Sequence, residues 1–301
     1  MKWQGVMPAI TTCFDAALRV DTAFVTEHSR WLVESGCTAI IPLGSLGEGA
    51  TLEFDEKLAV IDACVKGAAG RAPIAPAISA LRTPDAVKMA KAAADHGAQG
   101  LMVLPPYVYK GDWREMKAHV VAVLHATPLS CMLYNNPISY GTDFLPEQIA
   151  ELAKEHENLH AVKESSADVR RITAIRALVG DRLQISAGVD DLILEAIGAG
   201  AVGWVAGLVN AMPRESVALF DYCMRGEHKK AFELYRWFLP LLRMDTVPKF
   251  VQLIKLVQQE CGKGSALVRP PRLGITDHEL AEALATIKRA LADRPRLAAQ
   301  A

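Results

Sequence analysis

No two of the chain's six cysteines lie close together: Cys13, Cys37, Cys64, Cys131, Cys223 and Cys261 are scattered. That spacing excludes a disulfide framework or a zinc knuckle and is read as reduced thiols in a bacterial-type cytosol. Neither sign of charge dominates. A formal net charge of -1 removes the electrostatic case for a nucleic-acid partner or an acidic surface. No apolar run approaches membrane-spanning length, and the start Met1-Lys2-Trp3-Gln4-Gly5 lacks a signal-peptide pattern. A cytoplasmic protein with no membrane association is therefore expected. Gly44-Ser45-Leu46-Gly47-Glu48-Gly49 has the wrong glycine spacing for a dinucleotide fingerprint, and no Walker A lysine follows it. The histidines fall in or beside helices without ligand spacing. No cofactor and no metal are expected.

What is present is apolar residues in quantity and in a repeating order. Hydrophobic residues make up 51% of the 301-residue chain and charged residues 22%, so one large buried core is within reach. Strands are expected at 5–11, 38–42, 73–78, 100–104, 130–135, 159–163, 183–187 and 203–206. Helices are expected at 21–35, with Asp21 as N-cap, and at 55–69, 84–96, 113–126, 146–156, 169–179, 191–197 and 213–225. Gly36-Cys37-Thr38, Gly97-Ala98-Gln99 and Gly200-Ala201-Val202 echo one another as helix-ending glycines that lead into a strand. Eightfold repetition of one βα unit predicts an α/β chain closed as a (β/α)₈ barrel, with an open doubly wound sheet as the alternative. The alternation stops near residue 227. Helices are expected at 227–242, 247–260 and 277–292, and the tail 294–301 is expected to fray. This divides the chain into a barrel, 1–226, and a C-terminal helical region, 227–301, placed over a barrel face or an oligomer contact.

One stretch, Leu159-His160-Ala161-Val162-Lys163-Glu164-Ser165-Ser166, is unusual for a strand because it runs straight into a lysine. Burial disfavours the ammonium and lowers its pKa, which makes a free amine available to attack a carbonyl. The plainer alternative is a surface lysine paired with Glu164. In a barrel of this kind active residues come from the C-terminal ends of strands and the loops that follow. Ser45, Tyr107, Tyr134, Gly188 and Val205 all fall at such ends, on the same rim as Lys163, which favours the reactive amine. Each also has an ordinary role open to it: Ser45 satisfying a turn amide, Tyr107 and Tyr109 as rim aromatics, Tyr134 capping the core. Glu48 is expected to be a structural acceptor, and Trp113, Trp204 and Trp237 packing residues.

Taken in order, Gly44-x-x-Gly47-Glu48, Tyr134-Asn135-x-Pro137 and Val162-Lys163-Glu164-Ser165 resemble the dihydrodipicolinate synthase/N-acetylneuraminate lyase family. The resemblance covers essentially the whole chain. It implies a class I, Schiff-base (β/α)₈ enzyme acting on pyruvate or another 2-oxo acid, often as a tetramer. Lys163 would then form the imine and Tyr134 would shuttle its protons. Ser45 would be the hydroxyl of a tyrosine relay, and Tyr107 a second tyrosine given across a subunit interface. Backbone around Ser45 and Leu46 would hold the substrate carboxylate, with Asn136, Ser139, Gly188 and the Val205 carbonyl near the substrate.

Two positions depart from that pattern. Leu46 stands where the family usually has a second hydroxyl, and Ser139 where dihydrodipicolinate synthases carry an arginine for a second carboxylate. These changes argue against lysine biosynthesis. With the runs Leu-Pro-Pro-Tyr-Val-Tyr at 104–109 and Ile138-Ser139-Tyr140-Gly141, the chain is most similar to the branch that deaminates 1-pyrroline-4-hydroxy-2-carboxylate. A small 2-oxo acid or cyclic imino acid is the expected partner, in a homo-oligomer. The alternatives are an aldolase or dehydratase of a 2-oxo-3-deoxy sugar acid, and a non-catalytic 2-oxo acid binding protein.

Overall fold

The computed structural model describes residues 1–107 and 109–297. Parallel strands β1 (Gly5–Pro8), β2 (Ala77–Ile78), β3 (Gly100–Val103), β4 (Ser130–Asn135), β5 (Leu159–Glu164), β6 (Gln184–Ala187) and β7 (Gly203–Ala206) run in the order β1-β7-β6-β5-β4-β3-β2. The gap between β1 and β2 is filled by residues 38–42. Ala9 bridges Ile41 and Ile40 bridges Ile74, both in parallel. The Ile41 N–H donates to the Pro8 carbonyl at 2.9 Å and the Ala77 N–H to the Pro42 carbonyl at 2.8 Å. The sheet is therefore closed, an eight-membered (β/α)₈ barrel. The open sheet is excluded.

Three expected strands are shorter than their apolar runs. The run at 5–11 keeps ladder pairing only as far as Pro8, with one further bridge at Ala9; the 38–42 run is reduced to bridges at Ile40 and Ile41; the 73–78 run is a strand only at Ala77–Ile78. Prolines explain this. Pro8, Pro42, Pro73 and Pro76 lack the N–H that a ladder needs. Met7, Met102, Met132 and Val205 share the inward face with Lys163, while Val6, Val162 and Ile185 point to the helical layer, and all are buried.

The helical layer comprises α1 (Thr22–Glu34), α2 (Phe54–Ala68), α3 (Thr83–Asp95), α4 (Trp113–Leu124), α5 (Pro137–Tyr140), α6 (Pro146–Glu155), α7 (Arg170–Val179), α8 (Ile193–Gly198) and α9 (Pro213–Met224). Asp21 caps α1 by accepting from the Phe24 N–H at 2.9 Å, and Pro146 opens α6. The one-turn helix α5 was not expected. It begins at Pro137, whose fixed φ suits a first helical turn, and Asn136 caps it by accepting from the Ser139 N–H at 3.0 Å.

Helices α10 (His228–Leu242), α11 (Phe250–Glu260) and α12 (Asp277–Ala292) follow the barrel. They are bolted to it by buried polar contacts. Lys255 on α11 meets Glu48 at 2.8 Å with both side chains buried, and Arg269 forks onto Glu56 on α2. The expected fraying of the tail fails at its first residue, because Arg294 pairs with Glu215 on α9 at 2.6 Å. Residues 298–301 of that tail lie outside the described residues, as does Val108 of the run after β3.

Candidate active site

Strand register brings the two principal residues together. In the β4–β5 ladder Tyr134 pairs with Lys163, and in the β5–β6 ladder Lys163 pairs with Ser186. Side chains alternate along a strand, so Lys163 and Glu164 must point to opposite sides. The pairing of Lys163 with Glu164 is thereby excluded. Glu164 instead accepts from Asn135 Nδ2 at 3.1 Å and from the Ser166 N–H at 2.6 Å. Lys163 is 6% exposed, and its Nζ lies 4.2 Å from the centre of the Tyr134 ring. It makes no hydrogen bond or ion pair with any described residue. Burial pushes its pKa down to about 8, partly opposed by the carboxylates of Asp245 and Asp190. An amine in this position is neutral in a useful fraction of molecules near neutral pH.

Room for the lysine depends on a missing side chain. A Cβ at Gly188, just beyond β6, would fall 2.6 Å from Lys163 Cε and 1.9 Å from Ser165 Oγ. Gly188 therefore borders Lys163, while Val205 lies buried in β7 opposite Met7.

Tyr134 is buried, and its Oη accepts from Asn136 Nδ2 at 2.9 Å. Burial pushes its pKa up to about 12, with the Asn136 contact opposing. The phenol is thus held as a proton donor beside the amine. Asn135 fixes the loop that follows. Its Nδ2 reaches Asp143, the Phe144 carbonyl and Glu164, and its Oδ1 accepts from the Phe144 N–H at 3.0 Å. Arg171 holds Asp143 from the other side, through a two-pronged contact at 2.5 and 2.8 Å.

Tyr140, at the end of the clamped loop, was missed from the sequence. Its Oη is hydrogen-bonded to Ser45 Oγ. Its ring meets Tyr134 edge-on at 5.8 Å between centroids and Tyr107 at 5.6 Å. Burial raises the Tyr140 pKa, and the adjoining Tyr134 raises it further. Ser45 thus touches Tyr140, whereas the Tyr107 hydroxyl accepts from Ser79 Oγ at 3.2 Å. The signal was available: an aromatic three residues beyond Pro137, in a short rim loop. Leu46 is buried. Ser139 lies exposed on α5, with its N–H given to Asn136.

Two carboxylates complete the site. Asp190, fully buried after β6, accepts from Trp204 Nε1 at 3.0 Å, from the Leu208 N–H at 2.8 Å and from the Gly207 N–H. Burial pushes its pKa up to about 6 against those donors. Trp204 is therefore an anchor for Asp190 as well as a packing residue. Asp245 ends a short turn (Arg243–Asp245) after α10, held to the barrel by Arg243 on Asp191 at 3.6 Å. It lies so close to Gly207 that a Cβ there would fall 2.1 Å from Asp245 Oδ1. That oxygen is buried without a hydrogen-bond partner. Asp245 lies outside the barrel sequence, where no strand-end rule points to it. Among the described residues no group of three or more His, Cys, Asp or Glu could hold a metal ion, and no helix is long and apolar enough to cross a membrane.

The sequence profile of the Dihydrodipicolinate synthetase family matches residues 2–290. The 4-hydroxy-tetrahydrodipicolinate synthase of Geotalea daltonii is 31% identical over 279 residues, covering 91% of this chain and 94% of the relative. That of Rhizobium meliloti is 29% identical over 94% of this chain and 96% of the relative. The crystal structure of a dihydrodipicolinate synthase from Bacillus anthracis superposes with a TM-score of 0.92 at 27% identity, covering 98% of this chain and all of that one.

Proposed function

Because the chain belongs to the dihydrodipicolinate synthetase family, we propose that it is a lysine Schiff-base lyase whose substrate is 1-pyrroline-4-hydroxy-2-carboxylate. Its products are 2-oxoglutarate semialdehyde and ammonia, a step of hydroxyproline breakdown. The observation that carries this reading is an unpartnered Lys163 paired with Tyr134 across one rung, in a site where Leu46 and Ser139 replace a hydroxyl and an arginine. A site without that arginine has lost its bidentate hold on a second carboxylate. A compact substrate with one carboxylate fits such a site better than the semialdehyde of lysine biosynthesis.

The neutral Lys163 amine attacks C2 of the cyclic imine. The C2–N bond then breaks, leaving a protonated imine on Nζ and a primary amine on the former ring carbon. The iminium draws electrons from C3, whose proton passes to Tyr134 as that phenol gives its own onward through Tyr140 and Ser45 to the departing C4 hydroxyl, so that each hydroxyl ends protonated as it began. The C4 hydroxyl leaves with a proton as water. After tautomerisation, two waters hydrolyse the two remaining C=N bonds, freeing Lys163 and ammonia. Backbone N–H groups of the Ser45–Leu46 turn bind the carboxylate. The protein acts without a cofactor, as a cytoplasmic homo-oligomer.

The test is incubation with cis-4-hydroxy-D-proline oxidised in situ, with assays for ammonia and the semialdehyde. In parallel, borohydride reduction and mass spectrometry locate the adduct. Ammonia release with an adduct on Lys163 is expected. An adduct on Lys163 without ammonia, together with pyruvate released from a 2-oxo-3-deoxy sugar acid, would assign an aldolase instead. No adduct on Lys163 with either substrate would refute the Schiff base.

A further inference from the structure

Lys163 and Asp245 are an unusual pair, because each lacks the partner that its charge demands. A buried carboxylate ordinarily accepts several N–H bonds, as Asp190 does from Trp204, Gly207 and Leu208. Asp245 has a buried Oδ1 with no hydrogen-bond partner among the described residues. A buried ammonium ordinarily sits on a carboxylate, as Lys255 does on Glu48. Lys163 forms no such contact, yet it and Asp245 are near enough to influence each other. No ion pair joins them, and each sits against a glycine at the same strand-end rim, Asp245 at Gly207 after β7 and Lys163 at Gly188 after β6. Their positions are fixed: Gly207 gives Asp245 its room, Gly188 gives Lys163 its room, and Arg243 ties the Asp245 turn to Asp191.

From this geometry we infer that Asp245 is the acid that receives the nitrogen of the substrate, a catalytic residue that protonates the ring nitrogen as the C2–N bond breaks. The inference rests on the proposed deaminase reading and specifies what distinguishes its substrate from a 2-oxo acid: a basic nitrogen bonded to the carbon that Lys163 attacks. The balance is simple. Neutral Lys163 adds to C2, and one of its protons moves to the ring nitrogen, giving a neutral aminal. The Asp245 carboxylic acid gives a second proton to that nitrogen, the C2–N electron pair departs with it as a primary amine, and the nitrogen of Lys163 becomes an iminium. An imine, an amine and a carboxylic acid become an iminium, a primary amine and a carboxylate. The new negative charge on Asp245 arises as the iminium forms beside it, with no other charge created.

The environment suits both states. Burial raises the Asp245 pKa well above the ordinary carboxylate range, the Asp190 charge adds to this, and Lys163 opposes it. The acid is therefore available before the bond breaks, and the iminium stabilises the carboxylate afterwards. A 2-oxo acid presents at the same place a carbinolamine oxygen that leaves as water, so the assignment turns on whether Asp245 serves the nitrogen more than the oxygen.

The experiment compares the full-length protein with its Asp245→Asn and Asp245→Ala variants, each checked for folding by circular dichroism. The first readout is competition against borohydride trapping of pyruvate on Lys163, using proline and cyclopentanecarboxylate as probes. These rings differ in the nitrogen, which in proline is a secondary ammonium that pairs with the carboxylate form of Asp245, the form it holds once the C2–N bond has broken. The wild type is expected to prefer proline by about tenfold or more, and both variants to lose that preference. The second readout is ammonia release from the hydroxylated pyrroline, expected to fall ~10²-fold or more in the variants, with pyruvate trapping affected much less. Equal competition by the two rings in the wild type, or ammonia release unchanged in either folded variant, would overturn the role of Asp245. Pyruvate trapping lost by the same factor would also overturn it, by making Asp245 a general support of the lysine. If the wild type prefers proline in an Asp245-dependent way but releases no ammonia, the deaminase reading fails and nitrogen recognition stands. If misfolding removes both variants, the wild-type probe preference alone decides.

Discussion

At the scale of the residue, the proposed chemistry depends on a lysine whose burial makes the neutral amine available near neutral pH. Burial disfavours the ammonium, so its pKa falls to about 8, while the nearby carboxylates limit the fall. The neutral form is the nucleophile. Borohydride-trapped imine should therefore form faster as pH rises, by about tenfold per unit well below pH 8, and level off above it. A rate independent of pH between 6 and 8 would contradict a lysine titrating there. Lys163→Ala should abolish trapping and turnover while the circular dichroism spectrum stays native; substantial remaining turnover would remove the residue from the mechanism. Tyr140 is the second test at this scale. Removing its hydroxyl in Tyr140→Phe breaks the contact with Ser45, and turnover should fall ~10²-fold. Tyr107, bonded to Ser79 in this chain, should matter less when made Phe. The reverse order of effects would restore Tyr107 to the relay.

At the scale of the element, a strand and the loop after it act as one unit. Asn135 sits on β4 with its side chain opposite in direction to Tyr134, and it holds the Asp143–Phe144 segment by both ends of its amide. The loop between carries Asn136, which touches the Tyr134 hydroxyl, and Tyr140, which touches Ser45. Asn135→Ala leaves the buried Phe144 N–H and one Glu164 oxygen without this partner, at a cost of about 2–3 kcal/mol. Thermal unfolding should show the lower stability, and turnover should fall further than stability alone explains. Unaltered turnover in the folded variant would separate the loop from catalysis. Gly188→Ala probes the same rim by adding one methyl group, which must displace Lys163 Cε or Ser165 Oγ. Loss of trapping with the fold retained is expected.

At the scale of the whole molecule, the helices after the barrel contribute to its core and its site. Glu48 follows the Gly44–Gly47 turn, and its carboxylate accepts from Lys255 Nζ and from the Arg269 N–H. Both partners come from beyond residue 227. A barrel ending at residue 226 would leave Glu48 buried without either partner and would lack Asp245. Such a fragment should not fold to a stable monomer, and a cooperative thermal transition from it would refute this coupling. Within the full chain, Glu48→Ala strands the buried Lys255 charge and should destabilise by about 3–5 kcal/mol.

The sequence alone pointed to the barrel, because alternation of apolar strands and helices is a local pattern; the bridges of residues 38–42 decided it against an open sheet. The sequence also determined that Lys163 and Tyr134 share a rim, since both terminate strands. Strand lengths were less legible: the prolines at 8, 42, 73 and 76 leave apolar runs intact while deleting their ladder donors. What only the tertiary structure decided were the contacts between distant segments. Ser45 is joined to Tyr140 by a loop that Asn135 clamps, and Asp245 enters from a turn after the barrel. None of these has a local signature. Each exists because closing the barrel brings together residues far apart in the chain, in an interior where a polar group must find a partner or be put to use.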